Sequence, residues 1–323
     1  MARIAHWDEV EEHRHEGEVI AGRYQDLGEA AGSVEVGVGR FRVDPGRQST
    51  PAHVEGGEEE ITYVVSGSGW SWQDGATYEV RAGDTLVHLR EEETHTLVAG
   101  DEGLEVLAFG ERAYPGATHL PRAGIVRIAG TWVEALGPPH PYEREAAAGR
   151  VELGDPQPRP GRIVALEGVR TRHVTHGATD LVEADLGRAA GSLRTGLRHL
   201  TIAPGREGFP PHCHSAEEEL LVVLAGSGVV RLGDEEGAVR AGSVIARPAG
   251  SGVAHSFVAG DEGLVLLAYG QRDPRDTVWY PRSRKLSIRA FGLRVRIDES
   301  LDYWDGEPSP PLDGEPSHPP GEP

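Results

Sequence analysis

Residues 205–226 read G-R-E-G-F-P-P-H-C-H-S-A-E-E-E-L-L-V-V-L-A-G, and this stretch decides the fold. Because residues i and i+2 of a strand face the same way, His212 and His214 point together while Cys213 points to the opposite face. Glu219 then begins an apolar run closed by A-G-S-G, as expected of a strand followed by a turn. The stretch therefore predicts two imidazoles and one carboxylate at the end of an apolar lining.

A third imidazole is available from His255, which follows a predicted strand and turn, R-A-G-S-V-I-A-R-P-A-G. Three nitrogen ligands and one hard oxygen suit Mn, Fe, Co, Ni, Cu or Zn, whereas Mg and Ca prefer mostly oxygen ligands. The alternative is that these histidines are surface residues or hydrogen-bonded core residues. The number of suitably spaced ligands favours a divalent transition metal instead. The predicted ligand set is His212, His214, Glu219 and His255.

The same pattern occurs twice in the chain. The aligned pairs of segments are 27–47 with 186–206, 46–67 with 205–226, and 95–110 with 255–270. A register kept over such a distance indicates that each half is one copy of the same domain.

The N-terminal copy changes the ligand set. Its corresponding residues are His53, Glu55, Glu60 and His95. Glu55 stands where the second histidine is expected, so a metal site here would be more anionic and would favour harder ions. The alternative is a site that has decayed to a structural role, with Glu55, Glu58 and Glu59 forming a solvated acidic edge.

Composition restricts the class of protein. The chain has 323 residues, more than one hydrophobic core usually organises, so two domains are expected. A formal net charge of −20 argues against a nucleic-acid partner, which requires clustered Lys and Arg. The sequence has no apolar run of about eighteen residues to cross a membrane, and its first residues, M-A-R-I-A-H-W-D-E-V, do not resemble a signal peptide. We therefore expect a cytoplasmic protein, and its single cysteine excludes an internal disulfide framework.

Shifts in composition suggest where the units begin and end. We expect an N-terminal domain at 1–140 and a C-terminal domain at 163–305. The segment 141–162 is rich in Pro, Gly and charge and is predicted to be a linker. The tail at 306–323 has almost nothing to bury, so we expect it to be disordered.

Two motifs carry a family resemblance. The run from Gly205 to Gly226 resembles the first cupin motif, G-(x)n-H-x-H-(x)3–4-E-(x)6-G, and the run from Gly242 to His255 resembles the second. The N-terminal copy departs from both, because Glu55 replaces a histidine and Leu89 and Glu91 replace the Pro and Gly of the second motif. Nearly the whole chain resembles a bicupin. The resemblance implies an all-β fold of two tandem double-stranded β-helix (jelly-roll) barrels, with the metal inside the barrel mouth.

Two kinds of function fit these features. The first is a metalloenzyme acting on a small organic acid, aromatic or sugar-like substrate, since similar cupins include dioxygenases, decarboxylases and isomerases. The alternative is a non-catalytic cupin that binds or senses a small ligand. In either case we expect a small-molecule partner and no nucleic acid or membrane partner; a homo-oligomer is compatible with the fold.

The sequence alone leaves the positions of several other polar side chains undecided between the barrel interior and the surface. Arg247 and His88 occupy aligned positions and could point into the barrels, where they would bind an anion, or lie on the surface. The acidic runs 91–93 and 217–219 are expected to be solvated, apart from the one glutamate that each copy of the motif selects. Solvated positions are also expected for the N-terminal histidines, His6, His13 and His15.

Overall fold

The computed structural model describes residues 4–112, 116–128, 131–133, 141–298, 301 and 305–306. Beyond Gly306, the predicted tail lies outside the described residues. Strands dominate both halves of the chain. The first half contains β1 (Ile4–His6), β2 (His13–His15), β3 (Gly22–Asp26), α1 (Leu27–Ala31), β4 (Val36–Val43), β5 (Val54–Glu55), β6 (Glu60–Gln73), β7 (Ala76–Arg81), β8 (Asp84–His88), β9 (His95–Glu111), β10 (Ala117–Leu120), β11 (Ile125–Ile128), β12 (Thr131–Val133) and α2 (Pro141–Ala147).

The second half repeats this order of elements. It contains β13 (Ile163–Ala165), β14 (Thr171–His176), β15 (Thr179–Asp185), α3 (Leu186–Ala189), β16 (Thr195–Ile202), β17 (Cys213–His214), β18 (Glu219–Leu232), β19 (Glu235–Arg240), β20 (Ser243–Arg247), β21 (His255–Gln271), β22 (Thr277–Tyr280), β23 (Lys285–Ile288) and β24 (Leu293–Arg296), with short 3-10 helices at Leu166–Gly168, Pro281–Ser283 and Arg289–Phe291. None of the described helices is long and apolar enough to span a bilayer.

Each barrel is built from one large and one small antiparallel sheet. In the first barrel the order is β13-β8-β6-β9-β4-β3-β2, with β7 beside β6, and the small sheet is β12-β11-β10-β5. In the second barrel it is β1-β20-β18-β21-β16-β15-β14, with β19 beside β18, and the small sheet is β17-β22-β23-β24. This arrangement confirms the predicted all-β fold of two tandem barrels.

The two barrels exchange one strand each. β1, from the start of the chain, pairs with β20 of the second barrel, so that Ile4 lies opposite Ile245. β13 pairs with β8 of the first barrel, where Ile163 lies opposite Leu86. The expected division at 140 and 163 does not describe these two strands, because each completes the sheet edge of the other half.

Central strands of the large sheets, such as β18, have segments that are buried on both faces. In β18, Leu221 and Val223 face the lumen of the second barrel, whereas Leu220 and Val222 join the apolar layer between the barrels. This double burial explains why the strand reads as a continuous apolar run. Equivalent aromatic residues of the two copies, Phe109 and Tyr269, meet in that layer with ring centroids 5.1 Å apart.

The expected solvation was wrong for Glu217, Glu218 and His6, and the alternative of a solvated acidic edge in the first copy was wrong for Glu59. Glu59, Glu217, Glu218 and His6 are all buried. His6 lies 2.8 Å through Nε2 from the Ala241 carbonyl, because β1 is part of the second barrel. The glutamates are buried because hydrogen-bond donors or an arginine surround each one, as described below. His13 and His15 are exposed, as expected.

Candidate metal centre

The four predicted ligands of the second barrel lie around Glu219, but of these four described residues only His212, His214 and Glu219 have ligand atoms that all lie within 4.8 Å of one another. His212 and His255 face each other across a backbone bridge, with N–H to carbonyl distances of 3.2 and 2.8 Å. His214 comes from β17, and Glu219 begins β18. From Glu219 Oε2, the Nε2 atoms of His255, His214 and His212 lie at 3.2, 3.5 and 3.9 Å.

Hydrogen bonds on the far side of two rings fix the tautomer. His212 Nδ1 lies 2.9 Å from the Pro210 carbonyl, to which it must donate a proton. His214 Nδ1 lies 2.7 Å from the Asp276 carboxylate. In the neutral form of each ring, Nδ1 therefore carries the proton and Nε2 presents its lone pair toward Glu219. Asp276 is itself buried and accepts the backbone N–H groups of Ser215 and Ala216.

The environment of the candidate ligands shifts their pKa values in different directions. Burial lowers the pKa of His212 to about 4, and neighbouring His255 adds to the effect. Burial would also lower the pKa of His214, but Glu219 and Asp276 outweigh it and raise that pKa above its ordinary value. Burial alone would raise the pKa of Glu219, yet His214 and His255 hold it well below its ordinary value.

These side chains fit a transition-metal ion. Glu219 Oε2 is buried and has no hydrogen-bond partner among the described residues, although three imidazole nitrogens surround it. The ligand atoms of His212, His214 and Glu219 lie within 4.8 Å of one another. A cation among them would satisfy the buried oxygen and the lone pairs together.

The first barrel brings together three of its four predicted ligands. The ligand atoms of His53, Glu60 and His95 lie within 4.8 Å of one another. Glu55 lies outside that group, since both its oxygens accept from Thr118 Oγ1 at 2.9 and 3.1 Å. Its Oε1 lies 3.9 Å from His53 Nε2.

The electrostatics of the first site differ from those of the second. Burial raises the pKa of Glu55 to about 7 and that of Glu58 to about 8, so both carboxyls take up protons near neutral pH. The first site is therefore less anionic than its composition suggests. His88, aligned with Arg247, stacks on His95 with ring centroids 3.6 Å apart and lies 2.9 Å from Glu93 Oε1.

Arg247 points into the second barrel, which agrees with the first of the two positions considered for it, the barrel interior rather than the surface. It is buried opposite Glu219 in the β18–β20 pair. Its Nη2 donates to the Val253 carbonyl at 2.5 Å, so it holds the turn that leads into His255. Cys213 is a buried free thiol, and burial raises its pKa, which keeps it protonated and unreactive.

A cavity of about 600 Å³ adjoins the second site and is lined by His212, His214 and Glu219. Tyr280 lies at its wall, with its ring 5.8 Å from that of His212. Among the described residues, Arg198 has no acidic side chain within ion-pair distance, and neither has Arg294. The cavity is lined by six arginines, Arg172, Arg188, Arg198, Arg272, Arg289 and Arg294.

The sequence motifs did not indicate three residues of this site, Asp276, Tyr280 and Arg198. A comparison of the two copies contains the signal for all of them. Where the second copy has Asp276, Tyr280 and Arg198, the first has Gly116, Leu120 and Gly39. These differences accompany the change from His214 to Glu55, so the support of the second histidine is absent from the copy that lacks it.

Comparisons with known proteins agree with this architecture. A family model described as Cupin domain matches residues 39–110 and 198–269. The structure is similar to oxalate decarboxylase of Lactobacillus farciminis in a formate complex, with 15% identity, 87% of this chain and 89% of that chain covered, and a TM-score of 0.60. It is also similar to Bacillus subtilis oxalate decarboxylase, from a study of its Mn(II) centres, with 17% identity, coverage of 84% and 77%, and a TM-score of 0.57. Curated protein sequences contain no significant match. The repeated motifs, the two barrels and both family matches together identify the chain as a bicupin, a member of the cupin superfamily with two cupin domains in tandem.

Proposed function

We propose that the second barrel is the active site of a metal-dependent enzyme that acts on a small organic acid. One observation carries this proposal: three of the four predicted ligands also line an open cavity of about 600 Å³. A purely structural metal site is closed by protein ligands, whereas a catalytic site leaves a position for substrate. The volume lies within the range of small-molecule sites.

The arginines argue for an anionic substrate. Arg198 lies on the face of β16 that it shares with the lumen residues Leu200 and Ile202, so its guanidinium is placed at the cavity wall. Guanidinium groups bind carboxylates through paired, charge-assisted hydrogen bonds. A cationic lining inside a chain with a net charge of −20 would also concentrate small anions at the site.

The remaining roles follow from the same geometry. A divalent ion held by His212, His214, Glu219 and His255 would polarise a carboxylate or carbonyl oxygen. Burial raises the pKa of Tyr280, so its phenol keeps its proton and can donate a hydrogen bond to a bound anion. The similar oxalate decarboxylases make decarboxylation the first reaction to test, although oxidation and isomerisation remain within the same proposal.

Metal analysis and an activity screen test the proposal together. The purified protein is expected to contain a transition metal, most of which His212→Ala removes and His53→Ala leaves in place. CO₂ release and O₂ uptake are then measured with oxalate and larger mono- and dicarboxylates. Saturable binding of an acid without turnover, in fully metallated protein, would support the non-catalytic alternative instead.

A further inference from the structure

A pair of buried glutamates links the barrels reciprocally. Glu218, which is 0% exposed, accepts backbone N–H groups of Val34, Glu35 and Val36 in the first barrel at 2.5–3.1 Å. Glu59, 1% exposed, is its counterpart and reaches the equivalent turn of the second barrel. Its donors there are Ser192 Oγ, Thr195 Oγ1 and the backbone N–H groups of Leu193, Arg194 and Thr195.

Each of these two buried glutamates directly precedes a candidate metal ligand in the sequence. Glu218 immediately precedes Glu219, the carboxylate at the centre of the metal site, and Glu59 immediately precedes Glu60. Neighbouring residues at the start of a strand point to opposite faces. The peptide between Glu218 and Glu219 is therefore tied on one side to the other barrel and on the other side to the imidazole cluster.

Other contacts of this segment stay within the second barrel. Glu217 is bound by Arg289 and by the backbone N–H of Asp273, and Asp276 holds His214. Within the part of the chain that the structure describes, Glu218 is the only member of this acidic run that uses donors from the first barrel. A buried carboxylate with several backbone donors has one well-defined position, since any displacement leaves charge and N–H groups unpaired.

We propose that Glu218 is a positioning residue for the metal centre, through which the first barrel holds Glu219 in place. Glu59 has the same role toward Glu60 in the opposite direction. The inference rests on the proposed metal site of the second barrel. The first copy, which departs from the cupin motifs, would then supply the turn at Val34–Val36. The N–H groups of this turn bind Glu218 and so help to position Glu219 in the second barrel.

The test uses Co²⁺ alone as the probe, in full-length protein that carries His53→Ala and His95→Ala so that only the second site binds. Visible absorption of Co²⁺ reports ligand geometry, and titration gives its Kd. Glu218→Gln keeps the shape of the side chain but turns an NH₂ group toward N–H donors. It is expected to weaken Co²⁺ binding by about tenfold or more and to change the absorption bands.

Glu59→Gln is the matched control, since it removes the mirror-image bonds at the same interface. It is expected to leave the Co²⁺ spectrum and Kd close to those of the parent. Equal effects of the two substitutions would reduce Glu218 to a general stabiliser of the interface, and an unchanged Kd in folded Glu218→Gln would overturn the proposal outright. If Glu218→Gln does not fold, Glu218→Asp and Glu59→Asp provide the same comparison.

Failure of the underlying site is recognised separately. Adding His212→Ala to the same parent should abolish the Co²⁺ spectrum. If the parent binds no Co²⁺, or if His212→Ala leaves binding intact, the proposed metal centre is wrong and the positioning role falls with it. If the parent binds Co²⁺ and the His212→Ala variant does not, the metal centre stands. The comparison of Glu218→Gln with Glu59→Gln then tests the positioning role of Glu218.

Discussion

Three consecutive glutamates, Glu217, Glu218 and Glu219, are bound to three different parts of the molecule. Glu217 pairs with Arg289, Glu218 reaches the first barrel, and Glu219 lies among the imidazoles. Alternation turns Glu218 away from Glu217 and Glu219, which lie on opposite sides of the His214 ring, 3.5 Å from Nδ1 and Nε2 respectively. Burial raises the pKa of Glu217 to about 7 although Arg289 opposes it, which leaves this carboxyl partly protonated.

The carboxylate behind His214 should control metal affinity. Asp276→Asn keeps the size of the side chain but removes the charge that holds the Nδ1 proton. We expect Co²⁺ affinity of the second site to fall about 10–100-fold, the usual effect of losing such a partner. Calorimetric titration measures it. Asp180→Asn is the control, because Asp180 forms a similar 2.8 Å bond to the exposed His173; comparable losses in both variants would contradict the prediction.

Metal binding should weaken as the pH falls through the neutral range. The pKa of His214 is raised above its ordinary value, so the metal-free ring is protonated there and a metal must displace that proton. Apparent affinity is then expected to drop about tenfold per pH unit below that pKa. His212, with a pKa of about 4, contributes only in strong acid. A Kd for Co²⁺ that is constant from pH 7.5 to about 5.5 would show that no such proton is displaced.

Arg198 should bind the anionic end of a ligand. Replacing it with alanine removes a charge-assisted hydrogen bond worth about 1.5–3 kcal/mol, equivalent to roughly 10–100-fold in affinity. Oxalate binding to metal-loaded protein, measured by calorimetry, provides the readout. Arg172→Ala serves as a comparison, since Arg172 lines the same cavity but is paired with Glu183 at 2.6 Å. Equal losses in both variants would indicate a diffuse charge effect.

The candidate metal ligands His212, His214 and Glu219 were predictable from the sequence because they occur in a short motif with strand alternation. Asp276 approaches His214 from a distant turn and has no periodic pattern of its own, so only its difference from Gly116 of the first copy marks it in the sequence. Glu218 was misread because a run of acidic residues is usually solvated, and the sequence does not reveal that a turn of the other barrel offers it N–H groups. Such contacts depend on how elements meet in space.

At the level of elements, the barrels are closed by very short strands. β1 and β13 have three residues each, yet they cover the edges of β20 and β8. Their alternation is too brief to predict a partner, so the exchange could not be read from the sequence. The long strands were predictable because burial on both faces makes them continuously apolar and because the whole pattern occurs twice.

The turn before β20 offers a test of this packing. Gly242 has a φ of +92°, and a Cβ there would meet the ring of Trp7, which follows β1, at 2.3 Å. Arg40 lies 4.1 Å from that ring and restrains it. Gly83 is the equivalent residue of the first barrel, with a φ of +87°, but a Cβ there would lie 3.8 Å from Leu166 Cβ, an ordinary van der Waals contact.

Both glycine-to-alanine changes should destabilise the protein, but unequally. Each is expected to cost about 1–2 kcal/mol for the left-handed backbone. Gly242→Ala should cost a further 1–3 kcal/mol or so, because the added methyl displaces Trp7. Urea denaturation gives the free energies of unfolding. If Gly83→Ala proves as costly as Gly242→Ala, β1 is not packed on the second barrel as described.

For the whole molecule, the barrels should unfold as one unit. They share an apolar layer that contains Phe109 and Tyr269, exchange edge strands, and are linked through Glu59 and Glu218. Loss of either barrel would expose this layer and open a sheet edge on the other. We therefore expect a single transition in calorimetry of metal-free protein, with calorimetric and van't Hoff enthalpies in agreement. Two resolved transitions would mean that the barrels are independent.

The strand exchange also has a consequence for synthesis on the ribosome. β1 is translated before nearly the whole first barrel, whereas the sheet edge that receives it, β20, follows only in the second half of the chain. Meanwhile the first barrel cannot be finished until β13 has been made. The first barrel is therefore completed only after translation of the second half has begun, and β1 stays unpaired until β20 has been made.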